Sequence, residues 1–176
     1  MASAADDLSE PPSAPATRAA AAARLLALLL PAALLAGALG SQYLGGLYPC
    51  EMCYWQRWPH GAAILLALVA FAAPARSGRS RNFTLLAALA IAISGAIGVY
   101  HAGVEARLWE GFTTCTAMGR GLSTADLLKQ ISRTPLVRCD EVQFRFLGIS
   151  MAGWNAILSL GGAAAIVFLS RRGRRA

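Results

Sequence analysis

Apolar positions along the chain gather into four uncharged runs, at residues 25–49, 58–75, 83–104 and 146–170, and every lysine, arginine and acidic residue falls between or outside them. A helix needs roughly 20 predominantly apolar residues, within about 17 to 25, to cross the hydrocarbon core of a bilayer. All four runs meet that length, the second only narrowly. Within lipid the backbone must satisfy its own hydrogen bonds, and these runs are too long and too unbroken for barrel strands, so helices are predicted. The expected fold is all-α: a four-helix transmembrane bundle with a long loop, residues 105–145, between the third and fourth helices.

Composition supports a membrane setting, since 56% of the 176 residues are hydrophobic, only 14% are charged and the mean hydropathy is positive. Residues 1–20 read as a disordered cytoplasmic tail, rich in Ala, Pro and Ser at its start, and 21–176 as a single membrane domain. A cleaved signal peptide competes for the N-terminus, because Arg24 precedes an apolar stretch with small residues near 36–40. That stretch continues to Tyr48, longer than a signal's apolar core. Arg18, Arg24, Arg76, Arg79, Arg81 and the four arginines of 171–175 cluster close to helix ends on one side. The basic residues of the other side are dispersed, and five acids accompany them in the long loop. The positive-inside tendency therefore predicts cytoplasmic termini, with the cysteine-bearing segments outside. It also gives the net charge of +7 a topological origin. No basic stretch is interleaved with aromatics in the manner of a nucleic-acid-binding face.

All four cysteines fall on the predicted outer side: Cys50 and Cys53 in the short first loop, Cys115 and Cys139 in the long second one. An oxidising compartment such as a bacterial periplasm favours that placement. Two structural disulfides, a four-cysteine zinc site and a relay between two exchanging pairs are all compatible with this count. A bridge between Cys115 and Cys139 gains about 3 kcal/mol by the chain-entropy model, whereas closing the two-residue gap between Cys50 and Cys53 gains little. Zinc knuckles usually pair two close cysteine motifs, and here the second pair is widely split. A dithiol at a helix start is, by contrast, suited to exchange, because the helix N-terminus and a nearby cation lower a thiol's pKa. Arg57 is four residues beyond Cys53 and shares its helix face; otherwise it is an arginine reaching for headgroups. Glu51, between the two cysteines, opposes thiolate formation through its charge.

The strings Pro49-Cys50-Glu51-Met52-Cys53-Tyr54-Trp55-Gln56-Arg57 and Tyr100-His101-Ala102-Gly103-Val104-Glu105 leading to Cys115, and Cys139 followed by Phe146-Leu147-Gly148 and Trp154, resemble the disulfide bond formation protein B family over about residues 25–169. That resemblance implies a bacterial inner-membrane thiol:quinone oxidoreductase with its cysteine loops in the periplasm. Its partner would be a periplasmic thioredoxin-fold thiol oxidase (DsbA-like), and its electron acceptor a membrane quinone, ubiquinone or menaquinone. By the same analogy Cys115 is attacked by the partner's thiolate and Cys139 is its pair. Electrons pass to Cys50 and Cys53, Cys53 meets the quinone, and Arg57 and His101 serve as quinone-binding residues. No metal is implied. In the long loop, Ser123 and Asp126 resemble an acidic capping box ahead of Leu127, Leu128 and Ile131, an apolar stripe fit for the membrane surface or the bundle top. Vitamin K epoxide reductase-like enzymes share the helical bundle and the Cys-x-x-Cys, but normally carry the loop pair before that motif. A tetraspan protein with structural disulfides is the non-enzymatic alternative.

Overall fold

The computed structural model describes residues 14–111, 123 and 137–175. Four long helices make up most of it: α1 at Ala14–Tyr43, α2 at Glu51–Phe71, α3 at Gly78–Glu105 and α4 at Met151–Arg175. A two-stranded antiparallel hairpin, β1 at Arg145–Phe146 and β2 at Ile149–Ser150, leads into α4.

Three of these helices, α1, α3 and residues 151–173 of α4, are long and apolar enough to span a membrane. The exception is α2, because its first ten residues carry Glu51, Gln56, Arg57 and His60 and only its second half is continuously apolar. Leu29, Leu65, Leu89, Ile157 and Phe168 are all more than half exposed, an outward display of aliphatic side chains suited to lipid rather than water.

The boundaries differ from the apolar runs in two places. Helix α1 starts at Ala14, so the tail expected over residues 1–20 gives way to helix for its last seven positions. The alanine run 19–23 has the highest helix propensity of any residue type and carries the helix back beyond the apolar stretch. At the other end the run 146–170 does not begin as a helix. Leu147 and Gly148 both take positive φ, 51° and 80°, the backbone of a tight two-residue hairpin turn, and α4 starts only at Met151.

Each helix packs on two neighbours, α1 on α2 and α4, and α3 on α2 and α4, which closes a four-cornered bundle. The buried positions of α4 (Ala152, Ala156, Ser159, Ala163, Ile166 and Ser170) recur every three or four residues, so one stripe faces inward. Alanine dominates the core: Ala23, Ala27, Ala63, Ala67, Ala87, Ala88 and Ala163 surround Ile91 and Ile166. Small residues bring helix backbones together where no hydrophobic force between lipid-immersed helices does so. At Gly98 the approach is closest, since a Cβ there would stand 3.1 Å from both the Ala152 carbonyl and the Ala156 nitrogen.

Candidate active site at the cysteine end of the bundle

Helix α2 begins at the cysteine motif itself. Cys50 is its N-cap, with extended backbone, and its sulfur accepts a hydrogen bond from the Cys53 backbone N–H at 3.3 Å. One turn of helix thus stacks the two sulfurs 2.9 Å apart. Cys139 arrives from the long loop and is fully buried, packed with Cys50, Met52 and Val104 against Tyr100 and Val137. Gln143 holds this arm of the loop down by donating to the Tyr48 carbonyl at 2.7 Å.

The three thiols are unequal. Hydrogen bonding to Cys139 above all, then to Cys53, together with burial, pushes the Cys50 thiol well above the ordinary range. Cys53 is shifted down, first because it receives a hydrogen bond from Cys50, with Arg57 adding a smaller attraction. The more accessible and more acidic thiol of the pair is therefore that of Cys53.

Behind Cys50 runs a chain of buried polar side chains whose hydrogens the geometry assigns. Gln56 Nε2 donates to the Met52 carbonyl at 3.3 Å, which fixes the amide's orientation, and also to His101 Nδ1 at 2.8 Å. His101 consequently carries its proton on Nε2, which stands 3.5 Å from the Cys50 sulfur and 3.8 Å from Glu105 Oε1. Gln56 Oε1 accepts from Asn155 Nδ2 at 2.8 Å, and Asn155 Oδ1 accepts from Ser159 and lies 2.9 Å from His60 Nε2. Ser94 ties α3 to α2 by donating to the Gln56 carbonyl at 2.8 Å.

A cavity of about 660 Å³ opens beside the pair, with apolar walls from α1, including Leu34 and Ala38, and a polar end formed by Cys53, Arg57, His60 and Asn155. Apolar enclosure with a few convergent polar groups is the usual form of a small-molecule site. Arg57 turns toward α1: it donates to Gln42 Oε1 and to the Ala38 carbonyl, the latter at 3.1 Å, while its guanidinium covers the Tyr54 ring at 5.2 Å.

Of the predicted site residues, Cys50, Cys53, Cys139, Arg57 and His101 meet at this end of the bundle. Cys115 lies outside the described residues, as does the amphipathic element from Asp126 to Ile131. Gln56 received no role of its own although it stands in the cysteine string, and His60, Ser94 and Asn155 went unnoticed although lone polar residues inside long apolar runs are a signal of function in themselves. Cys50, Cys53 and His101 present donor atoms within 4.8 Å of one another, close enough for a shared metal ion. Two thiolates on one tetrahedral zinc stand about 3.8 Å apart, from Zn–S distances of about 2.3 Å. The pair's separation of 2.9 Å fits sulfur–sulfur bonding better.

A dithiol at the mouth of an apolar cavity, in a helical bundle with lipid-suited outer faces, defines a membrane dithiol–disulfide protein. The chain belongs to the disulfide bond formation protein DsbB family, whose family model matches residues 20–169. It is therefore a disulfide-forming oxidoreductase of the bacterial inner membrane. Its relatives include the disulfide bond formation protein B of Methylococcus capsulatus, 37% identical over 143 residues (78% of this chain and 85% of that protein). The proteins of that name from Xanthomonas oryzae pv. oryzae and Xanthomonas campestris pv. campestris are 30% and 31% identical over 141 residues, 78% of this chain and 82% of theirs. No solved structure matches the chain significantly.

Proposed function

We propose that this chain reoxidises a periplasmic thioredoxin-fold dithiol oxidase of the DsbA type and delivers the electrons to a membrane quinone. In this reading the apolar run 58–75 supplies the fourth span with Cys50 and Cys53 outside it, both termini are cytoplasmic, and residues 21–176 form one membrane domain. The observation that carries it is the convergence of Cys50, Cys53, Cys139 and His101 at the mouth of a cavity of about 660 Å³.

A partner thiolate opens the Cys115–Cys139 disulfide at Cys115 and frees the Cys139 thiolate, which attacks Cys50 and expels Cys53 as thiolate. The partner's second thiolate then closes the partner's own disulfide and releases Cys115, which attacks Cys139 and expels Cys50. Across these four exchanges one disulfide forms in the partner and the one between Cys50 and Cys53 is lost, so the two electrons now reside in the Cys50–Cys53 dithiol. The depressed Cys53 thiol is the better leaving group in the first exchange, and the His101 Nε2–H faces the Cys50 sulfur expelled in the second. Quinone supplies a lipid-soluble acceptor of two electrons and two protons, so that the dithiol returns to disulfide and hydroquinone leaves. The walls of α1 fit a ring with an apolar tail, and Arg57, fixed by Gln42 and Ala38, presents the positive charge that a quinone oxygen requires as it gains electron density.

The test is turnover in detergent, with the reduced DsbA-like oxidase as donor and quinone absorbance as the readout. Cys53→Ser is expected to abolish quinone reduction while the protein remains in the membrane fraction. Full turnover by that variant would end the proposal.

A further inference from the structure

At the opposite end of the bundle a second, smaller cavity of about 100 Å³ serves no step of thiol exchange. It is lined by Arg24 of α1, Arg76 of the α2–α3 connection, Arg81 and Thr84 of α3 and Ser170 of α4, with no carboxylate lining it among the described residues.

The hydrogen-bond inventory there is unbalanced in one direction. Arg24 Nε and Ser170 Oγ, both of lining residues, are buried atoms without a partner among the described residues, and each carries a hydrogen to donate. Ser170 is only 7% exposed, so bulk water does not satisfy it. The Thr84 hydroxyl is committed to the Ser80 carbonyl at 2.8 Å. Arg24 is held in place by donating from its NH1 to the Ala73 carbonyl at 2.9 Å and by the Phe71 ring at 4.6 Å, leaving its Nε edge free. Buried donors are normally paired, and a group of them without acceptors implies one that arrives from outside.

We propose that this cavity binds a phosphate group, either that of an anionic phospholipid headgroup or free phosphate. A phosphate's oxygens accept from guanidinium and hydroxyl donors together, and a volume of about 100 Å³ admits one such group and little more. Its position at the arginine-rich end of the helices is where basic pockets between spans meet lipid headgroups. Gly173 completes the cradle, since a Cβ there would press on Ala20 at 3.2 Å.

The experiment uses the full chain in a neutral detergent and measures apparent Kd for phosphatidylglycerol against phosphatidylcholine, and for inorganic phosphate against chloride at equal ionic strength. Tight binding of phosphatidylglycerol alone assigns the site to lipid; binding of inorganic phosphate as well assigns it to the free anion. Ser170→Ala leaves the charge unchanged and Arg81→Gln removes a lining cation; each is expected to weaken binding about tenfold, the size of one lost hydrogen bond to a charged group. Far-ultraviolet circular dichroism checks that each variant keeps its helices, and a variant that loses them is replaced by Arg76→Gln, another lining cation, in the same assay. The site is refuted if neither anion binds above its control, if Ser170→Ala binds as the parent does, or if neutralising Arg171 and Arg172 weakens binding while Ser170→Ala does not.

Discussion

Gln56→Leu isolates the hydrogen-bond chain behind the cysteines. Leucine fills a similar volume at a position only 6% exposed, so little cavity is created. The Met52 carbonyl loses only a second, side-chain donor, and Asn155 Nδ2 keeps the Ser94 carbonyl and hydroxyl, each at 3.2 Å. The one atom orphaned is His101 Nδ1, which costs about 1–3 kcal/mol of stability. Function suffers separately, because Gln56 donates to Nδ1 and so fixes the tautomer that aims Nε2–H at Cys50. A hydrogen bond to a thiolate at 3.5 Å falls at the weak end of charge-assisted bonds, about 1.5 kcal/mol, or roughly tenfold in rate. Alkylation of Cys50 in a Cys53→Ser background is therefore expected to slow about tenfold in Gln56→Leu, a change set by that one bond. Gln56→Glu still accepts from Asn155 and requires a proton on His101 Nδ1 while leaving that on Nε2, so it restores the rate. Unfolding by titration with sodium dodecyl sulfate measures the stability loss independently. Unchanged alkylation in a destabilised Gln56→Leu protein would show that His101 packs beside Cys50 without acting on it.

In the reduced protein, Cys53 is expected to be alkylated before Cys50 as pH rises, because a thiol lowered in the folded state ionises first; mass spectrometry of peptides reads the order. Arg57→Gln keeps a donor toward Ala38 but removes the charge, and is expected to raise the KM for quinone more than that for the protein dithiol. Gly98→Leu forces α3 off the α4 backbone that a Cβ would already meet at 3.1 Å, a cost of about 1–3 kcal/mol visible as earlier unfolding in the detergent titration.

Much of the fold was legible because lipid leaves few choices: an uncharged run of sufficient length becomes a helix, and three of the four runs emerged as spans by length and composition. What misled was local. Phe146-Leu147-Gly148-Ile149 looks like the start of a span by hydrophobicity, yet Leu147 adopts φ 51° without the Asn or Asp that normally announces such a turn. The early start of α1 was hidden because Arg18 and Arg24 interrupt the uncharged pattern, while the alanines between them rank highest in helix propensity.

The site was legible only where its residues are neighbours in sequence. Cys-x-x-Cys and Arg57 share one helix face, and spacing alone reveals them. Cys139 lies 89 positions from Cys50, and its burial beside that sulfur follows from how the loop folds over the bundle. Gln56, Ser94 and Asn155 come one each from α2, α3 and α4, and the bonds that join them run between helices; their common depth exists only once the helices are side by side. Packing and chemistry are then a single requirement. Hydrogen bonds of 2.8–3.2 Å across three helices demand close backbones, and the alanines below them and Gly98 supply that closeness. A larger residue at those core positions would part the helices, leave the amides unpaired in an apolar interior and free the imidazole that faces Cys50.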